Sequence, residues 1–404
     1  RRRPAERLAA RPCRRLIRRP AMLMYFDFRT YFRMLRLAWR EHNARNRRRL
    51  LLTLLVKIPL VSSFHAVCFF LDPILFPALR RTEVKSPIFI VGHARSGTTL
   101  LHRVMNKDPG RFSSFLLWEL SFPSLLQKKL IRWCAAVDRQ RLGGVIERRI
   151  RAWEERKFGP TRHIHFMSLT EPEEDDGVLA YSCASGTWIV RLPYMGELDF
   201  YHIDRRPVRD RRRLMTFYKE CVRRQLCLNG GDKIHLSKNP TFAGRVESLI
   251  ETFADARIVV PFRNPYETIP SLLKLMKVAW AMRKWSDAEM QRSLRILAEQ
   301  SYHTYKYPLE VLARHPQTPH AVVDYDELVA EPKRTIEKIY RELGLPMTPE
   351  YESVLSAEQE QARRHRGSHA YGLDEFGLSG GEIRAALGDL FERFHWQDVP
   401  PERG

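Results

Sequence analysis

Residues 87–105 read PIFIVGHARSGTTLLHRVM. Ile88-Phe89-Ile90-Val91 is an unbroken apolar run, the pattern of a strand buried on both faces of a parallel sheet. Gly92-His93-Ala94-Arg95-Ser96-Gly97-Thr98-Thr99 follows at once, and Leu100, Leu101, Val104 and Met105 then recur at helical spacing. The segment predicts strand, glycine-containing loop, helix. Gly92 and Gly97 permit turns that a Cβ would obstruct. Such a loop gathers backbone N–H groups at a helix N-terminus, which is an anion site. The fold class this implies is α/β: a P-loop-type central parallel sheet flanked by helices.

The loop departs from the Walker A pattern, where Lys follows the second Gly to reach the phosphates. Thr98 stands there, and the cation is Arg95, inside the loop. The strand Ile258-Val259-Val260-Pro261-Phe262 ends in Arg263, where an ATPase metal site would place an Asp. The loop suits a phosphate-like anion and suits Mg-ATP hydrolysis poorly. A second constellation lies downstream. Ile234-His235-Leu236 runs into Ser237-Lys238-Asn239-Pro240, and Val246, Leu249, Ile250 and Phe253 follow at helical spacing. Arg263 ends the next strand, with Ser271 eight residues on in the following helix. A strand-end Arg and a hydroxyl about two turns into the helix can hold one phosphate from two sides.

Three stretches in this order, PIFIVGHARSGTTLLHRVM, HLSKNPTFAGRVESLIETFADARIVVPFRNPYETIPSLL and VVDYDELVAEPKRTIEKIYRELGLP, resemble the sulfotransferase family. The similarity covers roughly residues 87–385, with HAYGLDEFGLS familiar from bacterial members. The resemblance implies 3′-phosphoadenosine 5′-phosphosulfate (PAPS) as sulfuryl donor, with PAP as product. By position, Arg95, Ser96, Gly97, Thr98 and Thr99 would bind the 5′-phosphosulfate, and Arg263 and Ser271 the 3′-phosphate. Lys238 would stabilise charge on the sulfuryl group or bridging oxygen. Arg95 replaces the Lys of the cytosolic branch and points to the tyrosylprotein and bacterial branches. The RKG turn of the family has only His365-Arg366-Gly367 as a counterpart, and Tyr325 lies in the YExL-like stretch.

Sulfuryl transfer to a hydroxyl, by analogy with phosphoryl transfer, is an in-line displacement through a loose, charge-spread transition state. It needs positioning, cations, N–H dipoles and a base, and no metal. The sequence carries no familiar metal motif. Glu119, in Trp118-Glu119-Leu120, is the expected catalytic base, at a distance from the loop comparable to that in the tyrosylprotein and some bacterial branches. Rivals are His165 and the cluster Glu171, Glu173, Glu174, Asp175, Asp176, which otherwise reads as a solvated helix start after Thr170. His93 and His102 flank the phosphate helix; His102 contacts donor or merely packs. The aromatics Trp118, Phe122, Trp133, Trp153, Phe166, Trp188, Tyr194 and Phe200 read as core, or as the lining of an acceptor pocket.

The rest of the chain decides where such an enzyme works. Of a net charge of +22, most sits in residues 1–49, with 17 Arg, no Lys and three acids. Such a head implies an anionic partner. Residues 21–40 interleave aromatic and aliphatic side chains with arginines, as in a helix lying in a membrane interface. Residues 50–71 are long and apolar enough to span, but Lys57, Pro59 and His65 interrupt them. The alternative is a buried helical hairpin over 50–79. The division expected is a basic arm with an amphipathic helix (1–49), an apolar interfacial or re-entrant segment (50–86) and a catalytic domain (87–404).

The chain has no N-x-[ST] sequon, and only Asp72 to Ser86 separate the apolar segment from the catalytic strand. Both favour a catalytic domain on the cytoplasmic face over a Golgi lumenal one. The acceptor expected is then a membrane lipid or glycolipid hydroxyl, and the partner an anionic membrane surface, not nucleic acid. An exposed apolar arm also suits a homodimer. Six scattered cysteines without CxxC argue against a disulfide scaffold and a structural zinc site. Two other classes fit part of the pattern: a P-loop kinase, and a non-catalytic membrane-bound nucleotide-binding protein.

Overall fold

The computed structural model describes residues 24–159, 167–364 and 372–397. The basic arm before residue 24, His165 and Phe166, and His365-Arg366-Gly367 lie outside the described residues. Five short parallel strands form the sheet, in the order β2-β3-β1-β4-β5: β1 (Ile88–Ile90), β2 (Phe112–Ser113), β3 (Ile234–Lys238), β4 (Arg257–Phe262) and β5 (His320–Asp324). In register, Ile88 pairs with Leu236 on one side and Arg257 on the other. The chain builds β2 and β3 to one side of β1, then crosses to build β4 and β5 on the other. The carboxyl end of β1 is therefore the crevice where connections part, the ligand position of open α/β sheets.

Alternate residues of each strand face opposite layers. Phe89, Val91, Ile258, Val260 and Phe262 share one core with helices α7 (Val208–Leu228), α8 (Val246–Thr252), α9 (Pro265–Ala281), α10 (Asp287–Arg314) and α14 (Gly380–Phe394). Ile88, Ile90, Val259, Ala321 and Val323 face the other core, built with α4 (Thr98–Asn106), α11 (Tyr325–Ala330), α12 (Pro332–Glu342) and α13 (Pro349–Arg364). Trp188, Tyr194 and Phe200 are core, whereas Trp133 and Trp153, on α5 (Leu125–Arg141) and α6 (Val145–Phe158), are exposed. The acidic cluster opens a 3-10 helix only at Asp175, and not after Thr170.

The N-terminal helices are α1 (Phe28–Arg40), α2 (Ala44–Leu52) and α3 (Ile58–Leu75). One π-helical turn, Thr53–Lys57, joins α2 to α3 without a break. Pro59 has no N–H for the preceding turn, and the wider turn before it absorbs the defect. Residues 50–79 therefore form neither a hairpin nor a re-entrant reversal; Ala44–Leu75 is one helix of 32 residues. By length and composition alone it could cross a bilayer, and a third of its apolar window is buried.

α3 buries its polar residues Ser62, His65 and Asp72 together with Ile58, Cys68 and Phe69. Ser62 donates to Tyr181 O at 2.6 Å, and His65 pairs with Gln127. Asp72 is fully buried and accepts from Ser124 Oγ, Leu125 N, Leu126 N and Arg224 Nε. The outward side of the continuous helix Ala44–Leu75 is apolar: Leu52, Leu55, Val56, Leu60, Phe64, Val67 and Ile74 are each more than half exposed. A helix of a water-soluble protein normally shows the reverse polarity. Helix α1 packs Thr30, Met34 and Ala38 inward and leaves Phe28, Phe32 and Trp39 exposed among arginines.

Candidate active site

Four of the five strands are followed at their carboxyl ends by residues of one crevice. After β1, Gly92 takes φ +145°, and a Cβ there would meet Pro261 O at 2.9 Å. Gly97 caps α4 at φ +84°, where a Cβ would lie 2.6 Å from the Tyr325 ring. Only glycine suits both positions. Arg95 also adopts positive φ, +72°, without being glycine, a strained conformation of the kind concentrated at ligand-binding loops. Ser96 is buried and donates to His93 O at 2.5 Å, closing the loop from within. Thr98 is buried in the first turn of α4 and Thr99 half-buried beside it.

The two constellations singled out in the sequence, the loop after β1 and the segment from Arg263 to Ser271, meet. Arg95 Nε donates to Ser271 Oγ at 3.0 Å, tying the loop after β1 to α9. Arg263, at the end of β4, lies with its guanidinium 4.2 Å from the centroid of the Tyr325 ring. Its Nε and Nη2 donate to Glu267, one turn into α9. Tyr325 therefore touches both halves of the crevice, packing on Gly97 and beneath Arg263. Behind it, His93 is buried between Ala94 O and Ser301 Oγ and stacks on Tyr305, whose hydroxyl donates to Arg263 O at 2.7 Å. Burial holds the His93 imidazole neutral, with its pKa lowered to about 4. His102 is likewise lowered to about 4, by burial and then by the Lys238 charge, and packs against Ser114 Oγ and Leu236 O.

Lys238, at the end of β3, is buried; its Nζ donates to Glu173 Oε1 at 3.0 Å and Glu174 Oε1 at 3.2 Å. Burial disfavours the ammonium, but Glu174 and Glu173 more than offset this and raise its pKa above the ordinary lysine value. Glu119 is placed differently. It is fully buried in a 3-10 turn, accepting from Leu116 N and Gln225 Nε2 on one oxygen and from Arg132 Nη2 on the other. The carboxylates brought to Lys238 are thus Glu173 and Glu174, and Glu119 is engaged elsewhere. Beneath Lys238 lies a network that sequence reasoning missed: Asp175 Oδ2 accepts from Tyr218 OH at 2.6 Å and lies 2.7 Å from His235 Nε2. Burial, then Asp175, pushes the Tyr218 phenol well above its ordinary pKa, so it stays protonated. Among the described residues, no group of three or more His, Cys, Asp or Glu is arranged to hold a metal.

A central parallel sheet with a glycine-containing loop at its switch point, tied through Arg95 to the helix that follows Arg263, defines a P-loop-type α/β fold. Residues 87–349 match the profile of the sulfotransferase family, and the chain belongs to that family. It is 24% identical over 332 residues to the omega-hydroxy-beta-dihydromenaquinone-9 sulfotransferase Stf3 of Mycobacterium bovis and of Mycobacterium tuberculosis, covering 78% of this chain and 76% of theirs. The fold is shared with sulfotransferase STF9 from Mycobacterium avium (TM-score 0.66, 18% identity, 95% of each chain). It is shared also with STF1 from Mycobacterium tuberculosis (TM-score 0.63, 19% identity, 89% of this chain and 92% of that one).

Proposed function

We propose that this sulfotransferase takes its sulfuryl group from PAPS and delivers it to the hydroxyl of a membrane lipid, working on the cytoplasmic face of an anionic membrane. The observation that carries the donor is the Arg95–Ser271 contact, with Arg263 at the same crevice. Two guanidinium groups and a helix N-terminus in one cleft suit a donor with phosphate at both ends. For the acceptor, the support is the menaquinone derivative in the name of the Stf3 relative, together with the outward apolar side of Ala44–Leu75.

Arg95 and the backbone N–H groups of Ser96 to Thr99 would hold the 5′-phosphosulfate, and Arg263 and Ser271 the 3′-phosphate. The acceptor oxygen attacks sulfur as the bond from sulfur to the bridging phosphate oxygen breaks, and that oxygen leaves with the electron pair on PAP. Lys238, kept charged by its two glutamates, would neutralise the leaving oxygen. The acceptor proton passes to a carboxylate. We assign that role to Glu173 or Glu174, because both touch Lys238; Glu119 is the second candidate and would have to leave its three donors.

The test is calorimetric binding of PAP and of Mg-ATP, followed by transfer assays with PAPS on a lipid alcohol in vesicles and on a water-soluble phenol. Metal-independent PAP binding that weakens about 10–100-fold in Arg263→Ala is expected, with transfer favouring the lipid. Preference for Mg-ATP would instead mark a kinase, and PAP binding without transfer a nucleotide-binding protein. Equal rates on both acceptors would remove the lipid assignment.

A further inference from the structure

The membrane reading rests on α1–α3, but the same inverted polarity recurs in a second place. Helix α6 has no buried residue. Its more sheltered positions include the acids Glu147 and Glu154, the latter accepting from Leu169 N. Ile146, Ile150 and Trp153, spaced to share one helical face, are 50%, 46% and 43% exposed. The hairpin joining α5 to α6 is nevertheless well built. Gly143 and Gly144 turn at positive φ, and Asp138, itself buried, accepts from Ile146 N and Glu147 N. A capped helix that half-shelters Glu147 and Glu154 while exposing its isoleucines and tryptophan suits a non-aqueous partner.

The charge says which partner. Residues 125–158 carry ten basic side chains against four acidic ones. Arg149 and Lys157 border the apolar face, and Lys157 Nζ lies 4.5 Å from the Trp153 ring centroid. Pairing this face with a second copy would set arginines against arginines. The hairpin also starts where the first apolar helix ends. Asp72 of α3 caps the start of α5, and Lys129 of α5 lies 4.9 Å from the Phe76 ring centroid.

We propose that α6 is a second lipid-contacting element, an amphipathic helix that lies on an anionic bilayer and acts together with the exposed side of α2–α3. This rests on the membrane reading above and extends it to a part of the chain that the N-terminal sequence does not contain. Trp153 and the isoleucines would enter the interface, with the arginines at headgroup level.

Flotation of the full chain with phosphatidylcholine vesicles, with and without phosphatidylglycerol, tests it. Two double variants separate the readings: Ile150→Glu/Trp153→Glu on α6, and Leu60→Glu/Phe64→Glu on α3. Unchanged PAP binding verifies that each is folded, and the milder Ile150→Ala/Trp153→Ala should rank between wild type and the Glu pair. Wild type is expected to float with the anionic vesicles, and each Glu variant to lose roughly tenfold or more in partitioning. If only the α3 variant loses binding, the membrane reading stands and α6 has no part in it. If wild type itself fails to float, both readings fall. If the α6 variant floats normally but turns a dimer into a monomer by light scattering, a second copy covers this face and the inference is overturned.

Discussion

Lys128 and Lys238 are both fully buried, and their charges are driven in opposite directions. Lys128 Nζ meets the neutral Gln225 Oε1 at 2.7 Å and lies 4.5 Å from the Phe115 ring centroid. Burial lowers its pKa to about 8; Glu119 opposes this, but its oxygens are held by Arg132, Gln225 and Leu116 N. Lys238 meets the same desolvation, and two carboxylates reverse it. Burial of a lysine is therefore no sign of catalysis. What distinguishes the crevice is a pair of glutamates, one of them with its side chain 36% exposed, facing a cation that has nowhere else to go.

That contrast can be broken experimentally. Lys238→Met should cut kcat by about 10²–10³-fold with PAP affinity changed only a few-fold, because the charge is needed when the leaving oxygen forms. Glu173→Gln/Glu174→Gln should lower kcat about 10²-fold and flatten the acid limb of the pH–rate profile. Glu119→Gln should do the opposite: a loss of about 1–3 kcal/mol in denaturant unfolding, with kcat per folded molecule nearly unchanged. A kcat collapse in Glu119→Gln with stability intact would return the base to Glu119.

The two lysines also differ in the sign of their pH dependence. Between about 8 and 10.5, Lys128 is neutral when folded and protonated when unfolded. The unfolded state binds more protons there, so this group adds stability as pH rises through that window. Lys238 has its pKa raised, so its stabilising contribution is complete below the ordinary lysine value and is lost as pH climbs through the folded one. Wild type minus Lys128→Met should therefore gain stability from pH 8 to 10.5 in urea melts. A flat difference would mean Lys128 stays charged. The smallest effect expected is at Glu267, which occupies the Arg263 guanidinium. Glu267→Gln should tighten PAP roughly two- to fivefold, measured by calorimetry.

Much of the crevice was legible because its residues follow strands directly. β1, β3 and β4 are marked by apolar runs, and Arg95, Lys238 and Arg263 stand where those runs end. β2, of two residues, and the helical start at Asp175 left no such signal. Glu173 reaches Lys238 across 65 residues of chain, and its run of acids reads equally well as a solvated face. Tyr325 was visible in its motif, but its packing between Gly97 and Arg263 was not. Glu119 was suggestive by position, but its partners Arg132 and Gln225, distant in the chain, were not visible in the sequence. The apolar run 50–71 was plain, yet which of its sides faces outward was not.

The sequence by itself determined the parallel α/β class, the loop and the cations that surround it. Short-range order, an apolar strand followed by glycine and then a helix, is enough to place N–H groups and an arginine at a strand end. Only the tertiary structure decided which carboxylates meet Lys238, in which direction each buried lysine is driven, and that α3 and α6 leave apolar residues facing outward. These depend on contacts between distant segments and on what each contact excludes from water, and neither is written in the spacing of neighbouring residues.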